Sequence, residues 1–130
     1  MRYLLCVLTL LLSVEAGAHR FAPSLLEVRQ LSDNGLTATW KTPAQKVSAT
    51  PIEPQFPPDC KRTSESPWIQ EGTGMLRQIQ LTCPDGIVGK TVSVSGLGEN
   101  QSSALLRVYL AENVFHQAVF TADQPSFLVP

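Results

Sequence analysis

The clearest structural signal in this chain is the stretch LSDNGLTATWK, which covers residues 31–41. Its Asn34-Gly35 pair stands between two apolar stretches. This dipeptide favours a type I′ hairpin turn, in which both central residues take positive φ. Beyond the turn, apolar and polar residues alternate, so that Leu36 and Trp40 lie on one face of a strand. We therefore expect a β-hairpin whose second strand buries Trp40 in the core.

The same alternation continues outward from the hairpin in both directions. It predicts further strands over residues 25–31, 75–83, 91–97, 105–110, 114–121 and 126–129. The segment 47–67 contains five prolines, so a strand there, for example over 47–52, should be short or at a sheet edge. No window shows a convincing helical period. Seven or eight short strands at this spacing predict an all-β fold, a single small antiparallel β-sandwich of the immunoglobulin-like kind.

Composition limits both the size and the partners of this protein. The chain has 130 residues, enough for one domain, and its net charge is −1. Charged residues make up 16% and hydrophobic residues 43%, a balance that indicates a folded chain. A near-neutral chain carries no broad electrostatic footprint for nucleic acid, so we expect no nucleic-acid partner.

The first eighteen residues have the pattern of a secretory signal peptide. Arg2 gives a basic start, residues 4–14 are almost wholly apolar, and Ala16-Gly17-Ala18 supplies small residues before a cleavage point. The apolar run is too short to cross about 30 Å of hydrocarbon as a helix. We therefore predict a signal peptide over 1–18 and a periplasmic β-sandwich domain over 19–130.

Export changes how the cysteines are interpreted. Removal of the signal peptide leaves Cys60 and Cys83, and an even number of cysteines in an oxidising compartment favours a disulfide. Cys83 also lies on the same predicted strand face as Arg77 and Ile79, which would point it inward. The competing interpretation is a metal site, but two isolated cysteines without C-x-x-C spacing form a poor ligand set.

Two histidines offer a possible metal site. Cleavage after Ala18 would make His19 the amino terminus, where the free amine and the imidazole together could chelate Cu²⁺ or Ni²⁺. His116 could add a third nitrogen if the fold brings it close. The alternative is a mobile terminal histidine, together with a His116 that packs or faces water.

Catalytic motifs are missing from the sequence. It contains no G-x-S-x-G elbow, no H-E-x-x-H and no P-loop, and its carboxylates are scattered singly. We therefore expect no enzymatic activity. Asp33 and Asp85 fit turn positions. Trp68 follows Pro67 in the loop between the cysteines, where it either covers the edge of the core or forms an exposed contact.

A set of short segments occurs in a recognisable order along the predicted mature chain. They are Ala18-His19, PSLLEV (23–28), WKTP (40–43), PPDC (57–60), LTCPDGIVGKT (81–91), SGL (95–97), ALLRV (104–108) and PSFLVP (125–130). In this order the chain resembles the extracytoplasmic amino-terminal region of the HupE/UreJ family of bacterial membrane proteins.

The resemblance implies a periplasmic β domain that precedes a bundle of transmembrane helices, in a nickel-uptake, hydrogenase or urease accessory context. What carries over residue by residue is the His19 start and the Cys60–Cys83 pair. We therefore expect a non-enzymatic interaction module for a membrane protein, or for a transmembrane region of its own. Contact would run through an edge strand or the segment 51–67. The alternative is a periplasmic copper- or nickel-binding protein that uses His19, with His116 assisting.

Overall fold

The computed structural model describes residues 22–130, and these residues form two β-sheets around one hydrophobic core. The predicted all-β fold is confirmed, and the arrangement is that of a small β-sandwich. The predicted signal peptide over 1–18 and the candidate metal ligand His19 lie outside the described residues.

Ten strands and one short 3-10 turn (Ala111–Asn113) make up the regular structure of the described residues. In chain order the strands are β1 (Ser24–Gln30), β2 (Gly35–Pro43), β3 (Glu53–Gln55), β4 (Lys61–Glu65), β5 (Ile69–Glu71), β6 (Gly74–Thr82), β7 (Thr91–Ser95), β8 (Ala104–Tyr109), β9 (Phe115–Phe120) and β10 (Ser126–Leu128).

The larger sheet has the order β4-β6-β2-β1-β8-β9, with β5 pairing a further part of β6. The smaller sheet has the order β10-β7-β3. Every pairing is antiparallel except that of β1 with β8, which is parallel and joins the β1–β2 and β8–β9 hairpins into one sheet. The predicted antiparallel sandwich is therefore correct apart from this central pair.

The structure holds more strands than the seven or eight predicted. β4 and β5 are additional, and the strand expected near 47–52 lies instead at Glu53–Gln55. The β4 segment reads KRTSE and is exposed throughout, so it carries no hydrophobic alternation to reveal it. Its pairing with β6 is a long-range contact that a local pattern does not record.

The core lies between the inner faces of the two sheets. Leu36 and Trp40 point inward from β2, and Trp40 is only 2% exposed. Ile79 adjoins them from β6, while the smaller sheet contributes Val92 and Val94 from β7. Burying side chains of this size stabilises the fold by about 1.5–3 kcal/mol each. The alternation seen in the sequence is thus the alternation between core and solvent.

The β1–β2 hairpin is present, but the predicted type I′ turn at Asn34-Gly35 is wrong. Neither residue has positive φ. The N–H groups of Leu31 and Ser32 donate to the Gly35 carbonyl, which makes a longer loop. Asn34 is held elsewhere: its carbonyl accepts the N–H of Cys83 at 2.7 Å, and its side-chain oxygen accepts a further N–H from the turn after β6. These two long-range hydrogen bonds outweigh the local preference of Asn-Gly for a type I′ turn.

A disulfide joins Cys60, just before β4, to Cys83, just after β6. The two Cα atoms are 4.1 Å apart, and Cys83 is fully buried. Beside the bridge, Lys90 Nζ donates to the Asp59 carboxylate at 2.8 Å and also to the Pro84 carbonyl. The disulfide and this lysine together fix β4 and the turn after β6 against one another.

Removing the disulfide should destabilise the fold without changing it. The bridge closes a loop with a sequence separation of 23. We expect the double variant Cys60→Ala/Cys83→Ala to lose about 3 kcal/mol of unfolding free energy, because its unfolded chain regains conformational entropy. Urea unfolding measures the change, and chemical reduction of the native chain should reproduce it. A loss below about 1 kcal/mol would contradict the prediction.

The Lys90–Asp59 pair should make the stability of the fold depend on pH in the acidic range. The hydrogen bond from Lys90 holds the pKa of Asp59 below its usual value. The pair therefore stabilises the fold at pH values above the pKa that Asp59 has in the unfolded chain, about 4. This contribution is lost as the pH falls from there through the pKa of Asp59 in the folded protein. In Lys90→Met the pKa of Asp59 should rise towards its ordinary value, as followed by NMR titration of the carboxyl carbon.

The control is Lys46→Met, since Lys46 makes no ion pair with another described residue. An unchanged Asp59 pKa in Lys90→Met, or an equal change in Lys46→Met, would argue against this pair.

Candidate functional site

A cavity of about 430 Å³ opens between β2 and β6 of the larger sheet and the segment that leads into β3 of the smaller one. Its floor is the inner face of β2 and β6. Its opposite wall is the segment 43–54, which runs from the end of β2 into β3 and takes the place of a further strand. Cavities of 300–1,000 Å³ with apolar walls and a few polar groups are typical of ligand-binding sites.

The apolar part of the cavity is formed by two tryptophans and their neighbours. Trp40 is buried at the floor, beside Met75 and Ile79 of β6. Trp68, between β4 and β5, is 42% exposed and lines the cavity from the rim. Of the two alternatives that its sequence position left open, Trp68 is therefore exposed and does not belong to the residues packed on the core.

Arg77 stands among these apolar residues on the inner face of β6, directly opposite Trp40 in the β2–β6 register. Its guanidinium carbon lies 4.5 Å from the centre of the Trp68 ring, a cation–π contact. Its Nη1 also donates to Glu65 at 3.1 Å. The ring and the carboxylate fix the guanidinium at the cavity wall.

A second arginine reaches the cavity from β4 and shares the same carboxylate. Arg62 Nη1 donates to Glu65 at 2.6 Å, and Nη2 donates to the Pro54 carbonyl at 3.4 Å. Cys60 lies two residues before Arg62, so the disulfide anchors the strand that carries this side chain. Two guanidinium groups therefore flank the cavity with one carboxylate between them.

The Nε–H of Arg77 has no hydrogen-bond partner. Among residues 22–130 it is the only buried side-chain nitrogen or oxygen in this condition. Leaving such a donor unpaired costs about 1–3 kcal/mol, and more for a charged group. Nε has almost no accessible surface, so the guanidinium must turn before this N–H can meet an oxygen in the cavity.

The segment over the cavity is held by one buried amide. Asn100, only 7% exposed, donates from Nδ2 to the Thr50 carbonyl at 2.8 Å and to the Gly96 carbonyl at 2.7 Å. Gly96 has a φ of 82°, and a Cβ there would lie 2.1 Å from the Pro51 carbonyl oxygen. Only glycine allows this close approach. Sequence reasoning missed Asn100, although Gly96 was visible at the end of a predicted strand.

Of the two predicted metal ligands, only His116 lies within the described residues. It lies on β9, half-buried and opposite Val108, and does not line the cavity. No three His, Cys, Asp or Glu side chains gather into a possible metal site within residues 22–130.

Neither protein-family models nor curated proteins give a match to this chain. In the part of the chain described, no helix is long and apolar enough to cross a membrane.

The Asn100 anchor predicts a specific loss. Asn100→Asp keeps the shape of the side chain but replaces both donors by oxygen next to two carbonyls. We expect the unfolding free energy to fall by about 1–3 kcal/mol and amide hydrogen exchange to accelerate over residues 44–52. The exposed neighbour variant Glu99→Gln should change neither quantity. If the amide hydrogens of residues 44–52 exchanged as slowly in Asn100→Asp as in the native chain, the Asn100 amide would not be what holds the segment.

Proposed function

We propose that this chain is a non-enzymatic periplasmic binding domain whose cavity takes a short segment of a partner protein. The signal-peptide pattern of residues 1–18 and the Cys60–Cys83 disulfide support an oxidising, extracytoplasmic location. The segment 43–54 and Arg62, both at the cavity, overlap the proline-rich region from which the sequence suggested contact with a partner.

The two guanidinium groups at the wall of the cavity, Arg62 and Arg77 with one shared carboxylate, carry this proposal. Guanidinium donors beside Trp40 and Trp68 match a ligand that combines an apolar side chain with an acceptor oxygen. A peptide offers both at once, through its side chains and through a main-chain carbonyl or a carboxylate. The arginines add positive charge, which favours an acidic residue or a carboxyl terminus in the bound segment.

The resemblance to the HupE/UreJ family supports a membrane protein as the partner, or a transmembrane region belonging to the same protein. The nickel-related context of that family also comes only from the resemblance. The alternative function, copper or nickel binding by His19 with His116, depends on a residue outside the described part. No geometry within the described part favours it, so it stays a prediction.

A peptide selection tests the proposal. Short random peptides displayed on phage are selected on the oxidised full chain, and enriched sequences are synthesised with a fluorescent label for anisotropy titration. We expect enriched peptides to combine aromatic or aliphatic residues with Asp, Glu or a free carboxyl terminus. Arg77→Met should weaken their binding at least about tenfold, since a charge-assisted hydrogen bond is lost.

Two further variants separate the roles of charge and hydrogen bonding. Arg77→Lys keeps the charge but has no Nε–H at this position, so it should bind more weakly than the native chain. Arg107→Met removes an arginine from the outer face of β8, outside the cavity, and should bind normally.

The melting temperature of Arg77→Met should not fall, because the lost ion pair contributes only about 0–1 kcal/mol and the substitution also removes the unpaired buried donor. Equal binding by the native chain and by Arg77→Met would refute the proposal, as would a selection that enriches no peptide.

A further inference from the structure

The four outer edges of the two sheets differ in how they are protected against pairing with another chain. The smaller sheet ends in β3, which contains Pro54, and in β10, a three-residue strand between Pro125 and Pro130. One edge of the larger sheet is formed by β4, which carries Lys61, Arg62 and Glu65 and has a register irregularity. Proline, charge and bulges are the usual means by which an edge strand avoids new partners.

The β9 edge has none of these protections. Its sequence FHQAVF, residues 115–120, contains no proline, lysine, arginine or carboxylate, and its pairing with β8 is regular. No strand among residues 22–130 pairs with its outer side. Phe115 and Val119 are 46% and 56% exposed. A regularly paired edge strand without Lys, Arg, carboxylate or proline is a template for strand addition.

The main-chain groups available at this edge follow from the hydrogen-bond pattern. Leu110 donates to the Val114 carbonyl at 2.9 Å, next to the hairpin turn. Because the bonding direction alternates along an antiparallel strand, every second residue after Val114 bonds β8. Phe115, Gln117 and Val119 therefore direct their N–H and C=O groups away from the sheet.

This pattern is complementary to itself. If two β9 strands pair antiparallel about a two-fold axis at Gln117, each Gln117 faces its counterpart and Phe115 of one copy faces Val119 of the other. The outward N–H groups of each β9 strand then donate to the outward C=O groups of the other. The solvent-exposed faces of the two larger sheets lie on the same side of the merged sheet.

The side chains on the outer face match in the same register. Val119 lies beside Leu105 of β8, which in turn lies beside Leu25 of β1. Phe115 lies beside Tyr109, with ring centres 4.9 Å apart. Two-fold pairing would place Val119 of one copy opposite Phe115 of the other. A β-branched residue opposite an aromatic one is a favourable cross-strand pair.

We propose that the protein forms a two-fold symmetric dimer by antiparallel pairing of β9 with β9 of a second copy, which merges the two larger sheets. This inference does not rest on the proposed function, because the cavity lies at β2 and β6, away from β9.

Analytical ultracentrifugation of the full chain between about 1 and about 100 µM tests the dimer. We expect a concentration-dependent shift to twice the monomer mass. Val119→Lys places a positive charge on the edge and should raise the dimer dissociation constant at least about tenfold. Ser64→Lys adds the same charge at the β4 edge and should leave the dimer unchanged.

Cysteine cross-linking tests the register. Opposed residues of a hydrogen-bonded antiparallel pair have Cα atoms about 5.5 Å apart, within disulfide range. Gln117→Cys should therefore give a covalent dimer with oxidised glutathione. Gln78→Cys is the control, because Gln78 is exposed on β6, a strand of the same sheet that is paired on both sides. This variant retains the same other cysteines and should stay monomeric on a denaturing gel.

A monomer at every concentration would overturn the proposal. So would a dimer that survives Val119→Lys, or cross-linking of Gln78→Cys as rapidly as of Gln117→Cys.

Discussion

The inner strands of the larger sheet, β1, β2, β6 and β8, each bury one face, and the smaller sheet has only three strands to cover them. Above β2 and β6 the cover is completed by the irregular segment 43–54, whose polar main chain cannot pack as densely as a strand. The cavity is the result of this mismatch. It forms where β6 places Arg77, instead of another aliphatic residue, on the inward face beside Trp40.

Two long-range ties keep the cavity open at its present size. The Cys60–Cys83 disulfide holds β4, and so Arg62, against the end of β6. On the other side, Asn100 and the close approach at Gly96 hold the segment 43–54. Both ties join parts of the chain that are distant in sequence, which suits a site that is largely formed before its ligand arrives.

Local alternation was enough to predict the β-class, the main strands and the inward position of Trp40, because core strands must alternate to bury one face. It could not give β4, whose five residues are all exposed, nor the turn geometry of Asn34, which depends on a bond from Cys83. One residue of the cavity could be recognised in the sequence, because Arg77 was the one charged residue on a predicted inward face. Its partners Trp68 and Glu65 meet it only through pairing between β4, β5 and β6.

The parallel pairing of β1 with β8 has a consequence for the order of events in folding. It matches Ser24 with Ala104, so the first described strand receives its second neighbour only when most of the chain is available. Contacts of such sequence separation slow the formation of the native sheet. We therefore expect the antiparallel β1–β2–β6 unit to form first and the centre of the larger sheet to close last, when the β8–β9 hairpin docks on β1.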